Sequence, residues 1–328
     1  MPIFSMPAAA ARAAVLSWTP DMEYMVRHRT TYRYLQDVSH SWHLAHLRLR
    51  TTPNQQVHAS AVTLSLETAS RSARLDYFQN PCEWFSIDQP HTHLEVLAES
   101  RVTVDAAPRR VSRESLSWEE VRALLEDPRD EEMRYAVQFL FDSPLTKFHS
   151  DIAAYGAVSF PPRRPLLAGA IELMNRIHKD FRYDTSVTDV TTPVDRVFEI
   201  RAGVCQDLAH VGIAAMRAIG LPARYVSGYL LTEPPFGKPR LLGADASHAW
   251  FSVWAPPYGW VDLDPTNNLI VSESHVTSSW GRDYSDVAPV TGIILGGHDH
   301  VVEVGVDVMP VDQAHPELPH IAPEIPPL

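Results

Sequence analysis

Apolar and polar positions alternate across residues 23–105, where Val, Thr, Tyr and Leu recur between turn signals such as Pro53-Asn54 and Asn80-Pro81. The alternation predicts an antiparallel β domain with strands near 24–34, 41–49, 57–66, 74–78, 83–87 and 94–104. After residue 105 the period lengthens. Ser117-Trp118-Glu119-Glu120 has capping-box spacing and opens a helix that should stop near Asp127-Pro128, and a second helix is expected over 131–141. These helices form a connector over 106–164. Pro165 suits the first turn of a helix reaching Phe181, with Leu166, Leu167, Ala170, Ile171, Met174 and Ile177 as its apolar stripe.

Thr192-Pro193-Val194-Asp195 marks another helix start, with Thr192 expected as the cap. That short helix should end by Gly203. A left-handed glycine there would let the chain reverse and begin a new helix at Cys205, with Leu208, Gly212, Ala215, Met216 and Ile219 on one face until Gly220 and Pro222 end it. Strand signals follow at 223–231, 247–254 and 260–264, so this helix should pack on an antiparallel sheet in a core spanning 165–290. Over 291–309, Gly296-Gly297 between two β-rich runs reads as a hairpin, expected to pair with the first β domain. Residues 1–22 read as a disordered leader and 310–328 as a proline-rich tail. The fold class is α+β.

Length and charge narrow the function. A chain of 328 residues is long enough for two domains. A net charge of -12 argues against a nucleic-acid or anionic-membrane surface. No run approaches the roughly 18 apolar residues that a membrane-spanning helix needs. The two cysteines, Cys82 and Cys205, form no disulfide framework, which fits a reducing, cytoplasmic setting. His40, His43 and His46 recur every third residue, and His91 and His93 share a strand face, but no thiol or carboxylate cluster accompanies them. They read as packing residues rather than metal ligands. Neither a metal nor a nucleotide or flavin motif stands out, and no cofactor is expected.

The chemistry converges on three segments. Cys205 begins a helix, where unpaired N-H groups and the macrodipole favour a thiolate. The backbone N-H groups of Cys205 and Gln206 are candidates for an oxyanion site. His248 and Asp264 flank the turn Ala255-Pro256-Pro257-Tyr258-Gly259 at an even separation, so an unbulged hairpin places them on one face and roughly opposite each other. A carboxylate there could accept the imidazole N-H and fix its tautomer. Asp262 shares that face and is a rival acid. Asp207, in the helix's first turn, reads as a dipole partner. Trp250 and Trp260 are candidate cleft residues, with core packing as their other reading. Cys82, after a turn, reads as a small half-buried thiol.

Gly203-Val204-Cys205-Gln206-Asp207, Ser247-His248-Ala249-Trp250 and Asp262-Leu263-Asp264-Pro265-Thr266-Asn267 resemble the Cys, His and Asp regions of the bacterial transglutaminase-like family in the papain-type superfamily. Residues 24–104 resemble that family's preceding β domain, and Gly281-Arg282-Asp283-Tyr284 its post-catalytic segment. The resemblance implies a papain/transglutaminase-like core with Cys205 as nucleophile, His248 as base and then acid, and Asp264, directly before Pro-Thr, as the orienting acid. The expected activity is a cysteine-dependent amide hydrolase or acyltransferase acting on a peptide or protein substrate through a thioester. Crosslinking of glutamine to amines is the alternative acceptor choice. A non-catalytic assembly protein and a redox-sensing thiol are readings from other classes, and oligomeric state is left open.

Overall fold

The structure, a computed structural model, describes residues 21–105, 115–232 and 247–311. The expected leader and proline-rich tail lie outside these residues except at their inner ends, where Met22 and Pro310 already belong to strands.

The N-terminal sheet is built around one strand. β1 (Met22–Ala45) runs continuously through what the sequence suggested were two strands. It is followed by β2 (Gln55–Leu64), β3 (Ser70–Leu75), β4 (Pro81–Ile87) and β5 (His91–Val104). β3 lies earlier than the expected 74–78. One edge of β1 is lined end to end by β5 and β4, with Tyr24 paired to Val102 and Ser41 to Ile87. β2 and β3 extend the sheet outward from β5 and β4.

Three helices follow: α1 (Trp118–Glu126), α2 (Glu131–Val137) and α3 (Ser150–Ala157). Ser117 and Glu120 form the expected capping box, each bonding the other's backbone N-H. α3 had no clear signal, since its eight residues include Gly156 and three alanines. Gly156 is explained by packing: a Cβ there would lie 2.9 Å from the Ala215 carbonyl. α4 (Leu166–Asp180) starts after Pro165, then come β6 (Arg182–Tyr183), α5 (Val194–Ile200), β7 (Ala202–Gly203) and α6 (Cys205–Ala218). Pro193, rather than Thr192, is the residue at the N-cap of α5. Thr192 Oγ1 instead accepts from the Asp189 N-H.

α6 is buried all round from Gln206 to Arg217, rather than on one face. Helices α1, α3, α4 and α5 share a hydrophobic core with it on one side, and β8 (Ala223–Leu230) and β9 (Ser247–Trp254) cover another. Gly212 permits the close approach to β9, because a Cβ there would meet the Phe251 ring at 2.7 Å. The remaining strands are β10 (Trp260–Asp264), β11 (Leu269–Ile270), β12 (His275–Gly281), β13 (Val290–Gly296) and β14 (His300–Pro310). The second sheet has the order β11-β10-β9-β8-β12.

β13 and β14 do pair with the first β domain, but they do not form a hairpin with each other. Both run antiparallel to β1 along its other edge, β13 opposite residues 38–45 and β14 opposite 24–34. Gly296 and Gly297, with φ of 97° and 77°, make a kink between two collinear strands. A double glycine supplies positive φ equally to a reversal or a kink, so only the partner strand distinguishes them.

Side chains of the β domain bind β12 along the edge that β8 leaves open. Gln55 donates to the Thr277 carbonyl at 2.7 Å and accepts from its N-H at 2.8 Å, as a neighbouring strand would. Asn80 repeats the arrangement on Trp280. Tyr24 reaches the Glu273 carbonyl, and Ser278 the His46 carbonyl. These bonds satisfy an otherwise open edge and fix β12 relative to both sheets.

Candidate active site

Cys205 is the first residue of α6 and is half-buried. The reversal that delivers it uses Arg201 (φ 52°, ψ 37°) in the left-handed conformation, instead of Gly203. The Arg201 guanidinium then packs 3.7 Å from the Phe198 ring centre. Gly203 is required for close approach: a Cβ there would lie 2.4 Å from Asp207 Oδ2. That oxygen accepts from the Val204 N-H at 2.8 Å and the Thr188 hydroxyl at 2.7 Å. Asp207 is thus a buried clasp between the start of α6 and the 184–193 loop. Desolvation raises its pKa, with the two hydrogen bonds opposing. Gln206 adds a second tie, its side-chain amide donating to the Val190 carbonyl at 3.1 Å. As residues of the first helical turn, Cys205 and Gln206 have backbone N-H groups without an intrahelical acceptor.

β9 brings His248 to this helix end. In the register of β9 and β10, Trp260 pairs with Trp254 and Leu263 with Phe251. Continued by one residue, it sets Asp264 across from Trp250, so Asp264 and His248 are diagonal rather than directly opposed. The shared face holds, and His248 Nε2 lies 2.7 Å from Asp264 Oδ2. Diagonal neighbours on one face are within reach of long or aromatic side chains. With Nε2 engaged by Asp264, Nδ1 is the nitrogen left for Cys205, whose thiol helps to raise the His248 pKa. Asp262 makes no such contact with His248, and its side chain lines a different cavity.

Asp264 is completely buried and heavily bonded. Oδ1 accepts from the backbone N-H groups of Thr266 at 2.9 Å and Asn267 at 3.1 Å. Oδ2 accepts from His248, from the Asn267 amide at 2.7 Å and from His275 Nε2 at 3.1 Å. Burial pushes the carboxyl pKa up, but His248, His275 and Asn267 overcome it and hold the group far below the usual carboxylate range. For His248, burial lowers the pKa, whereas the bonds to Asp264 and Cys205 raise it, with a net rise to about 10. Both shifts favour an imidazolium-carboxylate pair. His248, Asp264 and His275 have donor atoms within 4.8 Å of one another, close enough to surround a cation. Two imidazoles and three amide groups already fill the carboxylate's roughly four lone-pair sites, so the cluster reads as hydrogen-bonded.

The tryptophans fall elsewhere. Trp250 is fully buried against His248 and His275, which removes it from any cleft surface. Trp260 lines a cavity of about 710 Å³ between the β domain, α2 and the far end of β10, together with Tyr135, Asp262 and Trp280. Four residues of strand, about 13 Å, separate Trp260 from Asp264. The three-residue spacing of His40, His43 and His46 also dissolves: His43 stacks on Phe85, while His46 Nε2 lies 3.3 Å from an Asp76 carboxylate oxygen.

Residues 24–103 match the bacterial transglutaminase-like N-terminal region, and residues 160–265 the transglutaminase-like superfamily core. An uncharacterized protein of Mycobacterium tuberculosis is 38% identical over 297 residues, covering 88% of this chain and 93% of its own. The chain belongs to the bacterial transglutaminase-like family. A Mycobacterium leprae protein of this family is 31% identical over 293 residues, covering 86% of this chain and 97% of its own. A protein-glutamine gamma-glutamyltransferase of Pseudomonas aeruginosa is 35% identical over 104 residues, 31% of this chain and 15% of its own. The fold is that of a candidate cysteine protease from Cytophaga hutchinsonii, with a TM-score of 0.70, 19% identity and coverage of 90% and 93% of the two chains. The transglutaminase-like core puts the protein among cysteine-dependent enzymes in general kind.

His275 and Asn267 had no assigned role in the sequence. Asn267 lies three residues beyond the acid in a turn, where it can bend back onto Asp264. His275 lies beyond an irregular stretch and a two-residue strand, so no strand periodicity connects it to residue 264.

Proposed function

We propose that the protein is an amide hydrolase or acyltransferase in which Cys205 attacks a peptide or protein carbonyl. The observation that carries this reading is His248 Nε2 at 2.7 Å from the buried Asp264 carboxylate, with the imidazole pKa raised by both Asp264 and the Cys205 thiol. The sulfur forms a bond to the carbonyl carbon as the thiolate, with the proton held on His248. The tetrahedral oxyanion faces the N-H groups of Cys205 and Gln206 at the start of α6. His248 then delivers its proton to the amine as the C-N bond breaks, leaving a thioester. Water as acceptor restores the thiol and releases an acid; an amine releases a new amide. Hydrolysis is the reading we favour, and the kinship with a glutamyltransferase over the core supports transamidation as the second.

Site-resolved alkylation with iodoacetamide from pH 5 to 9 tests the assignment. Cys205 should react far faster than the buried Cys82 at mildly acidic pH, and His248→Ala should remove that advantage. Equal pH profiles for wild type and His248→Ala would falsify the pairing. Peptide turnover, lost in Cys205→Ser, should then be compared with and without added amine to identify the acceptor.

A further inference from the structure

Asp264 is held by two histidines, and the mechanism uses only one of them. His275, at the first position of β12, is 2% exposed, and its Nε2 shares Asp264 Oδ2 with His248. A carboxylate only accepts, so His275 must carry its proton on Nε2 to make this bond. Its ring stands edge-on to Trp250 at 5.3 Å and 87°, and Trp250 in turn packs on His248. The backbone is shaped for this contact. A Cβ on Gly228 of the intervening β8 would lie 2.2 Å from the Val276 carbonyl of β12 and 2.5 Å from the Trp250 ring, so glycine leaves room both for the strand and for the stack. The strand is also held from outside, since Gln55, Asn80 and Tyr24 of the β domain bond the 273–280 segment at 2.7 to 3.1 Å.

We infer that His275 is a positioning residue for the Cys205-His248 pair, donating through Nε2 to Asp264 so that the carboxylate stays ionised and aimed at His248. The β domain thereby contributes to catalysis by fixing the strand that carries this histidine. The inference rests on the proposed cysteine chemistry. Without the His275 donor, Oδ2 loses one of three bonds, and the carboxylate is less firmly held as the anion by its four remaining donors. The His248 imidazolium is then less well matched, and less of the Cys205 thiolate forms at mildly acidic pH.

The test is the rate of Cys205 alkylation by iodoacetamide from pH 5 to 9 in His275→Ala, His275→Asn and His275→Gln, with Cys82 labelling as the reporter of unfolding. Glutamine can place an amide N-H near the position of Nε2, whereas asparagine is too short. The Ala and Asn variants should label about tenfold more slowly at pH 6, equivalent to roughly one pH unit in the profile, while Gln stays within about threefold of wild type. Wild-type rates in folded His275→Ala, or a Gln variant as slow as Asn, overturn the inference. If the alanine variant does not fold, the Gln and Asn pair decides. His248→Ala separates the two failures: if it too leaves labelling unchanged, the cysteine-histidine reading fails; if it alone slows labelling, only the role of His275 fails.

Discussion

Asp264→Asn tests the electrostatic design of the site most directly, because it changes one oxygen to an amide without changing size. In the native site the carboxylate accepts five hydrogen bonds: two backbone N-H groups on Oδ1, and His248, His275 and Asn267 on Oδ2. If the asparagine oxygen keeps the backbone pair, its NH2 group faces three former donors. His248 can then stay bonded only by accepting at Nε2, which moves its proton to Nδ1, the side of Cys205. A neutral imidazole in that tautomer cannot take the thiol proton. The same inversion of tautomer in a triad costs about 10⁴ in kcat, and a loss of about 10³ to 10⁴ is expected here. Stability should fall by about 2 to 3 kcal/mol from the lost charge-assisted bonds.

The pH dependence follows from the two shifts. The depressed carboxyl contributes stability above its unfolded value and loses it as pH falls, while the raised imidazole contributes below its unfolded value and loses it as pH rises toward about 10. The stability gap between wild type and Asp264→Asn should therefore be widest from about pH 5 to 6, shrinking at lower pH as the carboxyl protonates and above about pH 6.5 as the imidazole contribution fades. Urea unfolding measures the gap, while Cys205 alkylation and peptide turnover report the tautomer. The half-exposed Asp262 serves as control, and Asp262→Asn should label within about twofold of wild type. The reasoning fails if Asp264→Asn labels Cys205 at the wild-type rate, or if Asp262→Asn is the variant that loses it.

Three further outcomes are expected. His28, His43 and His210 are buried with pKa values lowered to about 4 by desolvation, so the unfolded chain takes up their protons first as pH falls below 6.5. Urea stability should drop by several kcal/mol, about 2 to 3 for each histidine, between pH 7 and pH 4; a change below about 1 kcal/mol would refute this. Trp250→Ala should destabilise the fold by about 3 to 5 kcal/mol, whereas Trp260→Ala should leave Cys205 labelling unchanged; thermal melts and alkylation check both. Gly228→Ala should slow labelling while the far-UV spectrum is retained, because the added methyl displaces the Val276 carbonyl of β12 and the Trp250 ring beside His248 and His275; unaltered labelling would show that this packing is not needed.

Much of the site was legible before folding because it depends on local rules. Cys205 at a helix start follows from helix stop and start signals, and the shared face of His248 and Asp264 follows from the two-residue period of strands. That period is insensitive to a two-residue change in register, which is why the face held even though the expected direct opposition did not. Gly203 shows the limit of local reading. Its need for space comes from the Asp207 carboxylate folded back against it, while the positive φ falls on Arg201. Both choices reproduce the same reversal.

Tertiary structure decided whatever depends on partners distant in sequence. Gly296-Gly297 became a kink because β1 accepts β13 and β14 end to end along one edge. Trp250 became core and Trp260 a wall of another cavity because a strand's period gives its faces but not what covers them. His275 reaches Asp264 only because the chain returns from β11 into β12, and Gln55 and Asn80, some two hundred residues earlier, hold that strand. The amino-acid sequence by itself determined the helix start, the strand faces and the placing of His248 and Asp264 on one of them. The second histidine on the acid, and the β domain's hold on it, exist only once the two sheets are packed, because the side-chain bonds that create them have no local signature.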